Sequence, residues 1–348
     1  MSARHCRHER YGRYVRHHHP GLRALPTDGG EMITIYGPDG LVSDTRSASC
    51  EGCWIELIEP AAADISLASS LSGVDEQLIH EALDLHERPR IEQEEGATLL
   101  VIRTPHLENG AGQDRYSTVP LGILLAGTNI VTVCKLRDEP LIRLLRNSRT
   151  RAESFRSERC ICTISRNVAI LFLNYLKDIS TKIREVEHEL AQSLSNDDLK
   201  VLLNLQKSVT YFHAALKTND LILDRINRKG LSIGTQTRLA FTEDEADMLD
   251  DALTETRQGI YMAKIFTEVL NSITNVYSSI ISNSVNQIMK LLTSFTVILM
   301  VPTLITSMYG MNIPLPMQGQ PGAFALVGAV SAVLAAGLIL LMKYRKML

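Results

Sequence analysis

The stretch LLTSFTVILMVPTLITSMYGMN, residues 291–312, decides the architecture expected of this chain. It opens a run without a charged side chain that continues to Met342. Tyr309–Asn312 starts the one short segment of this run that separates its two apolar parts. An uncharged apolar run of about 18 residues or more is typical of a membrane-spanning helix. We therefore predict two spans, Leu291–Met308 and Gly322–Met342. A buried hairpin in a soluble protein is disfavoured, because two adjacent charge-free helices are hard to bury in so small a domain.

The charges that flank the two spans predict their orientation. Lys290 precedes the first span, and Lys343, Arg345 and Lys346 follow the second. Lys and Arg are enriched on the cytoplasmic side of a membrane. The N-terminal residues contain no apolar leader that would export the segment before the spans. We expect a multi-pass protein of the cell (inner) membrane, in contact with the lipid bilayer, with both termini in the cytoplasm.

The six cysteines give little support for a structural metal site. Cys50 and Cys53 form a lone C-x-x-C pair, and Cys160 and Cys162 are too closely spaced for a zinc-finger pair. A structural zinc site needs four matched ligands. Reduced cytosolic thiols are the better interpretation.

The remaining sequence divides by its composition and periodicity. Residues 1–31 are rich in His and Arg without periodicity, which indicates a disordered tail or a misassigned start. Short apolar runs predict strands at Ile33–Tyr36, Cys53–Ile58, Thr98–Arg103, Thr118–Leu125 and Ile130–Cys134, and helices at Ala62–Leu71 and Asp75–Leu85. The predicted segments are 1–31; a cytoplasmic α/β domain, 32–137; a cytoplasmic helical part, 138–241; a stalk helix continuing into the first transmembrane helix, 242–310; an external loop, 311–322; the second transmembrane helix, 323–343; and a cytoplasmic tail, 344–348.

The helical part is expected to end in one very long helix. Apolar residues recur at helical spacing over Ile164–Leu194 and Leu199–Ile226. Thr242 and Glu245 then form a capping-box pattern, and no proline follows until Pro302. A single helix from there to the end of the first span would be about 100 Å long. Such a helix must pack against neighbouring helices or copies of itself, which predicts an oligomeric stalk.

One face of the first span and of the helix before it is polar. Hydroxyls in a span usually serve helix packing or bond back to the backbone, but several at heptad spacing also suit the wall of a pore made from identical helices. The methionines of this face would be apolar constrictions. The span has no charged residue, so a permeating ion would meet only neutral oxygens, which suits a still-hydrated magnesium ion. The predicted pore-lining residues are Asn286, Met289, Thr293, Thr296, Met300, Thr303 and Ser307.

On these features the sequence resembles the CorA family of magnesium and other divalent cation transporters. The resemblance is carried by Tyr309-Gly310-Met311-Asn312, by Met300–Ile305 and by Arg88-Pro89-Arg90-Ile91-Glu92, and it covers about residues 32–348. It implies an α+β membrane protein, not an enzyme, that assembles as a homopentameric funnel. A cytoplasmic α/β domain would feed a long stalk helix that becomes the pore-lining span, with the second span outside it.

The resemblance also implies roles for particular residues. Gly310, Met311 and Asn312 would form the external selectivity mouth, and Asn286 and Met289 would lie at the inner constriction. Asp251 matches the stalk aspartate that helps to bind regulatory cytosolic magnesium between subunits; Asp247 shares its helix face, and Glu94 and Glu95 are the candidate partners, although Gly96 could occupy the matching position.

The expected function is magnesium transport driven by the membrane potential, with cobalt or nickel also passing and cytosolic magnesium closing the gate. A divalent ion gains about 4.6 kcal/mol per 100 mV, twice the value for a single charge, so no second energy source is needed. The alternative is a zinc or other transition-metal transporter of the same family. Many members follow the signature with an acidic M-P-E-L loop, whereas Ile313-Pro314-Leu315-Pro316 here is uncharged. A membrane-anchored enzyme is disfavoured because the phosphate-loop, G-x-S-x-G and H-E-x-x-H motifs are absent, and no nucleic-acid partner is expected.

Overall fold

The structure is a computed structural model that describes residues 33–37, 40–41, 51–94, 96–108, 115–138, 140–143, 145, 156–192, 196–234, 237–311 and 322–345. The predicted tail 1–31, Glu95 and Asn312 lie outside the described residues. The chain divides into two compact units, Met1–Asn271 and Ser272–Leu348.

A seven-stranded sheet forms the centre of the first unit. Its order is β2-β1-β3-β7-β6-β5-β4, in which only β3 and β7 pair in parallel. A separate hairpin pairs β8 with β9. The strands are β1 Ile33–Gly37, β2 Gly40–Leu41, β3 Trp54–Ile58, β4 Arg90–Glu94, β5 Ala97–Glu108, β6 Arg115–Ala126, β7 Asn129–Cys134, β8 Ser232–Ile233 and β9 Thr237–Arg238.

The helices follow the predicted pattern with shifted ends. The described helices are α1 Ala62–Ser72, α2 Glu76–Ala82, α3 Ser157–Gln192, α4 Asn196–Lys229, α5 Glu243–Tyr309 and α6 Ala323–Tyr344. The five predicted strands are confirmed, but the helix expected over Asp75–Leu85 ends earlier, at Ala82. In the segment after it, the backbone carbonyls of Leu85 and Glu87 accept hydrogen bonds from the Arg103 guanidinium instead of continuing the helix.

One face of the sheet is covered by α1 and α2. Ile65 and Ala68 of α1 and Ile79 and Ala82 of α2 are buried in one core with apolar residues of β3, β5 and β7. The approach of α2 requires Gly122 on β6, since a Cβ there would lie 2.5 Å from the Ala82 Cβ. Burial of these apolar side chains supplies the main stabilisation of this layer.

On α3 and α4, aromatic rings pack with β6. Phe172 of α3 meets Phe212 of α4 edge-on at 5.2 Å, and Tyr116 of β6 meets Tyr175 of α3 at 5.6 Å. Phe172 and Phe212 are fully buried. Edge-to-face aromatic contacts add specificity to the burial of large apolar area, so this cluster fixes the two long helices on the sheet.

Asn219 of α4 also ties that helix to the sheet through hydrogen bonds. Strand β4 begins at Arg90, which pairs with Val101 of β5, so β4 does not reach Arg103, two residues further along β5. The Asn219 Oδ1 accepts from the Arg103 amide at 2.9 Å, and its Nδ2 donates to the Arg103 carbonyl at 2.7 Å. The amide side chain thus satisfies the backbone groups that a longer β4 would have paired.

The predicted capping box at the start of α5 is confirmed. The Thr242 amide donates to Glu245 Oε2 at 2.9 Å, and the Glu245 amide donates to Thr242 Oγ1 at 3.3 Å. Within the first unit, α5 is held by Arg257, which pairs with Asp220 at 2.9 Å and Asp224 at 3.2 Å on α4. Helix α5 is 67 residues long in all, which confirms the long helix expected from the sequence.

Helices α5 and α6 contain the two segments that are long and apolar enough to cross a membrane. Only 6% of the residues in each of these apolar segments are buried, whereas the core helix of a soluble protein would bury most of them. The exposure therefore agrees with the two predicted spans.

Candidate functional site

The predicted pore-lining residues form an uncovered stripe on α5. Each of the seven side chains is exposed in the single chain, including the two methionines expected to constrict the path. They recur in steps of three and four, so they share one helix face. The stripe consists of Asn286, Met289, Thr293, Thr296, Met300, Thr303 and Ser307.

A different face of α5 is partly buried. Ser294 is fully buried, and Val297, Ile298, Val301, Pro302 and Ile305 are partly buried. On α6, burial is confined to one stripe of Val327, Ser331, Ala335, Leu338 and Met342. Both sets recur at helical spacing within the same compact unit, from which we infer that the two helices face each other through them. This arrangement would place the predicted pore-lining stripe on the side of α5 turned away from α6.

Three threonines of the stripe bond back to their own helix. The hydroxyls of Thr293, Thr296 and Thr303 donate to the carbonyls four residues earlier at 2.7–2.9 Å. Thr306, which lies outside the stripe, does the same at 3.0 Å, so back-bonding is not by itself a pore signal. With the proton held inward, each hydroxyl oxygen keeps acceptor capacity on its outer side. Such oxygens can accept hydrogen bonds from the water shell of a cation.

Helix α5 ends where the predicted mouth begins. The Gly310 amide donates to the carbonyls of Thr306 and Ser307 at 3.0 and 3.2 Å, and the Met311 amide donates to Met308 at 3.3 Å. A Cβ at Gly310 would meet the Thr306 oxygen at 3.4 Å, which is an ordinary contact. The described residues of the single chain therefore give no steric reason for glycine at this position.

The predicted regulatory acids are exposed. Asp247 and Asp251 lie on consecutive turns of α5, and Glu94 lies at the end of β4. Magnesium is commonly held by one or two carboxylates and keeps several waters, so the donor chemistry of these acids fits the ion. The described residues contain no group of three His, Cys, Asp or Glu side chains able to hold a metal. A single chain thus does not bring these acids together as a complete ligand set.

Comparison with known proteins decides the family. Residues 50–345 match the family described as CorA-like Mg2+ transporter protein. The chain belongs to the CorA family. Members of this family are ion transporters, so the expectation that the chain is not an enzyme is confirmed.

Individual CorA proteins resemble the chain over most of its length. The cobalt/magnesium transport protein CorA of Methanocaldococcus jannaschii is 28% identical over 286 residues, which cover 81% of this chain and 86% of that protein. The Thermotoga maritima protein of the same name is 21% identical over 79% of this chain and 77% of its own length. The complete structure of the CorA magnesium transporter from M. jannaschii superposes with a TM-score of 0.77 at 25% identity, covering 91% of this chain and 98% of that one. The α+β membrane architecture is thereby confirmed.

The Arg88–Glu92 segment, one carrier of the CorA resemblance, has a structural role that the sequence did not reveal. It enters the edge strand β4, and Arg90 bonds Glu81 and Glu92, each at 2.7 Å, and also Glu87. Burial acts to lower the pKa of Arg90, but the hydrogen bonds that it donates to the Glu87 and Glu92 carboxylates outweigh this effect and raise the pKa. Arg90 thus joins α2, its following loop and β4. The sequence signal for these ion pairs is the Arg-x-Glu spacing of Arg90 and Glu92, which places both side chains on one face of a strand.

Proposed function

We propose that this CorA protein is a homopentameric magnesium channel driven by the membrane potential, with its ion path along the stripe from Asn286 to Ser307. The observation that carries the proposal is the exposed polar stripe of α5 on the face turned away from α6. In a ring of identical chains, this stripe would line the central path and α6 would lie outside it. The chain resides in the cell (inner) membrane with both termini in the cytoplasm.

The chemistry of the stripe suits an ion that keeps its water. Magnesium loses water reluctantly, and its hydrated form donates hydrogen bonds to neutral oxygens. Thr293, Thr296 and Thr303 offer hydroxyl oxygens whose protons are already used by backbone carbonyls. The path needs no buried charge, and the inward membrane potential supplies about 4.6 kcal/mol per 100 mV for a divalent ion.

Assembly into a ring explains why apolar side chains are exposed on the part of α5 that precedes the membrane span, where lipid would not cover them. Val276, Ile280 and Ile288 lie on α5 before Lys290 and are exposed to 56%, 41% and 64%. Large exposed apolar side chains outside a membrane span indicate a protein–protein contact. Other copies of the same helix are the partners that we propose for them.

The selectivity mouth of this assembly consists of Gly310, Met311 and Asn312. Since the single chain tolerates a Cβ at Gly310, the glycine is explained by the close approach of other chains and of the ion. The amides of Asn312 would bind the outer water shell of the cation. The uncharged loop from Ile313 to Pro321 contributes no electrostatic attraction.

Cytosolic magnesium closes the channel at the stalk. Asp247 and Asp251 of one chain would hold the ion together with acids of a neighbour, for which Glu94 and Glu95 are the candidates. The bound cation supplies charge neutralisation between carboxylates that otherwise repel one another. Its loss would loosen the stalk and relieve the constriction at Met289. A coupling free energy of about 1–3 kcal/mol is sufficient for such regulation.

Cobalt and nickel are expected to pass by the same hydrated route. Zinc transport is the second candidate, but imidazole and thiolate ligands that favour zinc do not occur from Leu291 to Met342. Neutral oxygens alone give the path no preference for a transition metal.

The test is ion uptake by the purified protein in liposomes with a magnesium-sensitive dye inside. Uptake should increase with an imposed inside-negative potential and should exceed that of protein-free liposomes. Parallel measurements with cobalt, nickel and zinc at equal concentrations rank the ions. Potential-independent uptake, or zinc uptake faster than magnesium uptake, would contradict the proposal.

A further inference from the structure

Among the described residues, Arg166 of α3 is the cation that forms an ion pair with the proposed regulatory residue Asp251. Its Nε is 3.8 Å from Asp251 Oδ2. That nitrogen is buried and has no hydrogen-bond partner among the described residues. The Arg166 side chain as a whole is 43% exposed, and that of Asp251 is 65% exposed.

This ion pair differs from the other arginine–aspartate pairs of the long helices. Arg257 contacts Asp220 at 2.9 Å, and Arg228 contacts Asp224 at 2.8 Å, so both are hydrogen-bonded ion pairs. The separation between Arg166 and Asp251 exceeds a normal hydrogen bond. An exposed pair of this kind contributes little to stability. Arg166 therefore attracts the Asp251 carboxylate by its charge but does not donate a hydrogen bond to it.

We propose that Arg166 is a tethered cation that competes with magnesium at Asp251 and so sets the cytosolic magnesium concentration to which the stalk responds. This inference rests on the proposed regulatory role of Asp251. It adds a residue to that role which does not ligate the ion and acts on its affinity by charge.

Electrostatics gives the direction of the effect. The guanidinium and a magnesium ion repel one another, so binding of the ion at Asp251 requires Arg166 to move away or to tolerate a second positive charge. Removing Arg166 leaves the Asp251 carboxylate without its local counter-charge, which strengthens the attraction for magnesium. Because Arg166 carries one charge and belongs to the same chain, it neutralises Asp251 without linking that carboxylate to a neighbour.

The experiment measures how magnesium protects the full-length protein against limited proteolysis. In Arg166→Gln, the magnesium concentration for half-maximal protection should fall about two- to fivefold, the range that corresponds to the loss of an exposed ion pair. Arg166→Lys keeps the charge and should retain a midpoint near that of the wild type. Arg228→Gln is the matched control, since it also removes one arginine of an Arg–Asp pair, and its midpoint should not change.

A second background separates a direct effect from a general loosening of the fold. In Asp251→Asn, adding Arg166→Gln should cause no further change in the protection midpoint. An unchanged or higher midpoint in Arg166→Gln alone, with normal protection of the wild type, overturns the role of Arg166 and leaves the proposed regulation standing. Absence of magnesium protection in the wild type overturns the proposed regulation and this inference with it.

Discussion

The two halves of helix α5 differ in how many of their side chains are buried. From Glu243 to Asn271, the helix buries Leu249, Leu253, Thr256 and Ala263 among others. Of the described residues from Ser272 to Met311, only Tyr277 and Ser294 are buried. The helix is continuous through both halves. One backbone geometry therefore carries a half that is packed by its own chain and a half whose side chains are left for other surroundings.

This difference shows which surroundings stabilise each half. The first half obtains its stability from apolar burial and from the ion pairs of Arg257 with α4, as in a soluble protein. The second half has a polar stripe, a partly buried stripe and exposed apolar residues, which lipid and other copies cover in the proposed assembly. Substitutions of the buried residues in the first half should act on the fold, and substitutions in the second half should act on transport or assembly.

The largest expected effect is on transport and comes from the end of the second half. Asn312→Ala should abolish magnesium uptake while the oligomer remains intact, because it removes only the amides proposed to bind the hydrated cation. Uptake by liposomes and the mass of the detergent-solubilised complex are the two measurements. Gln318→Ala, which removes another amide of the same uncharged loop, is the control and should transport normally. Wild-type uptake by an assembled Asn312→Ala protein would refute the assignment of the mouth.

The first unit, which packs the first half of α5, should lose stability when a side chain of its core is truncated. Phe212→Ala should destabilise the protein by about 3–5 kcal/mol, since it removes a fully buried ring. The adjacent Tyr211 is 52% exposed, so Tyr211→Ala should change the stability by less than about 1 kcal/mol. Denaturant unfolding of the full-length protein in detergent measures both. Equal losses from the two substitutions would show that the first unit is not stabilised by its own core.

Within the second half, thiol labelling tests which face meets water. Thr296→Cys, on the predicted pore-lining stripe, should react several-fold faster with a water-soluble thiol reagent than Ile298→Cys, on the face toward α6. Both variants are made in a background without the native cysteines and are labelled in proteoliposomes. Equal labelling rates would mean that the stripe is wrongly assigned.

The smallest expected effect is the pH dependence of the stability of the first unit. Burial raises the pKa of the Cys134 thiol from 9.0 to about 11 and that of Cys162 from 9.0 to about 12. Between pH 9 and 11 the unfolded chain then loses thiol protons that the folded chain keeps, so stability falls as pH rises. In Cys162→Ala this slope of unfolding free energy against pH should become shallower, whatever the stability at neutral pH. A slope identical to that of the wild type would show that Cys162 does not contribute.

Sequence reasoning recovered the features that depend on local patterns. The spans follow from uncharged runs, the start of α5 from the Thr242–Glu245 capping box, and the inner strands from apolar alternation or apolar runs. The edge strand β4 was missed because its residues, RIEQE, are polar and show no apolar periodicity. The regulatory acids remain a prediction, since one chain holds no complete ligand set among its described residues.

The sequence by itself determined the two spans, the long helix and the existence of a polar stripe, because periodicity and charge act over a few neighbouring residues. The tertiary structure alone decided which face of α5 is partly buried, that Arg90 joins three carboxylates, and that Asn219 completes the edge of β5. It also brought Arg166 to Asp251, residues far apart in the chain. Such contacts depend on how helices and strands pack, and no local pattern in the sequence encodes them.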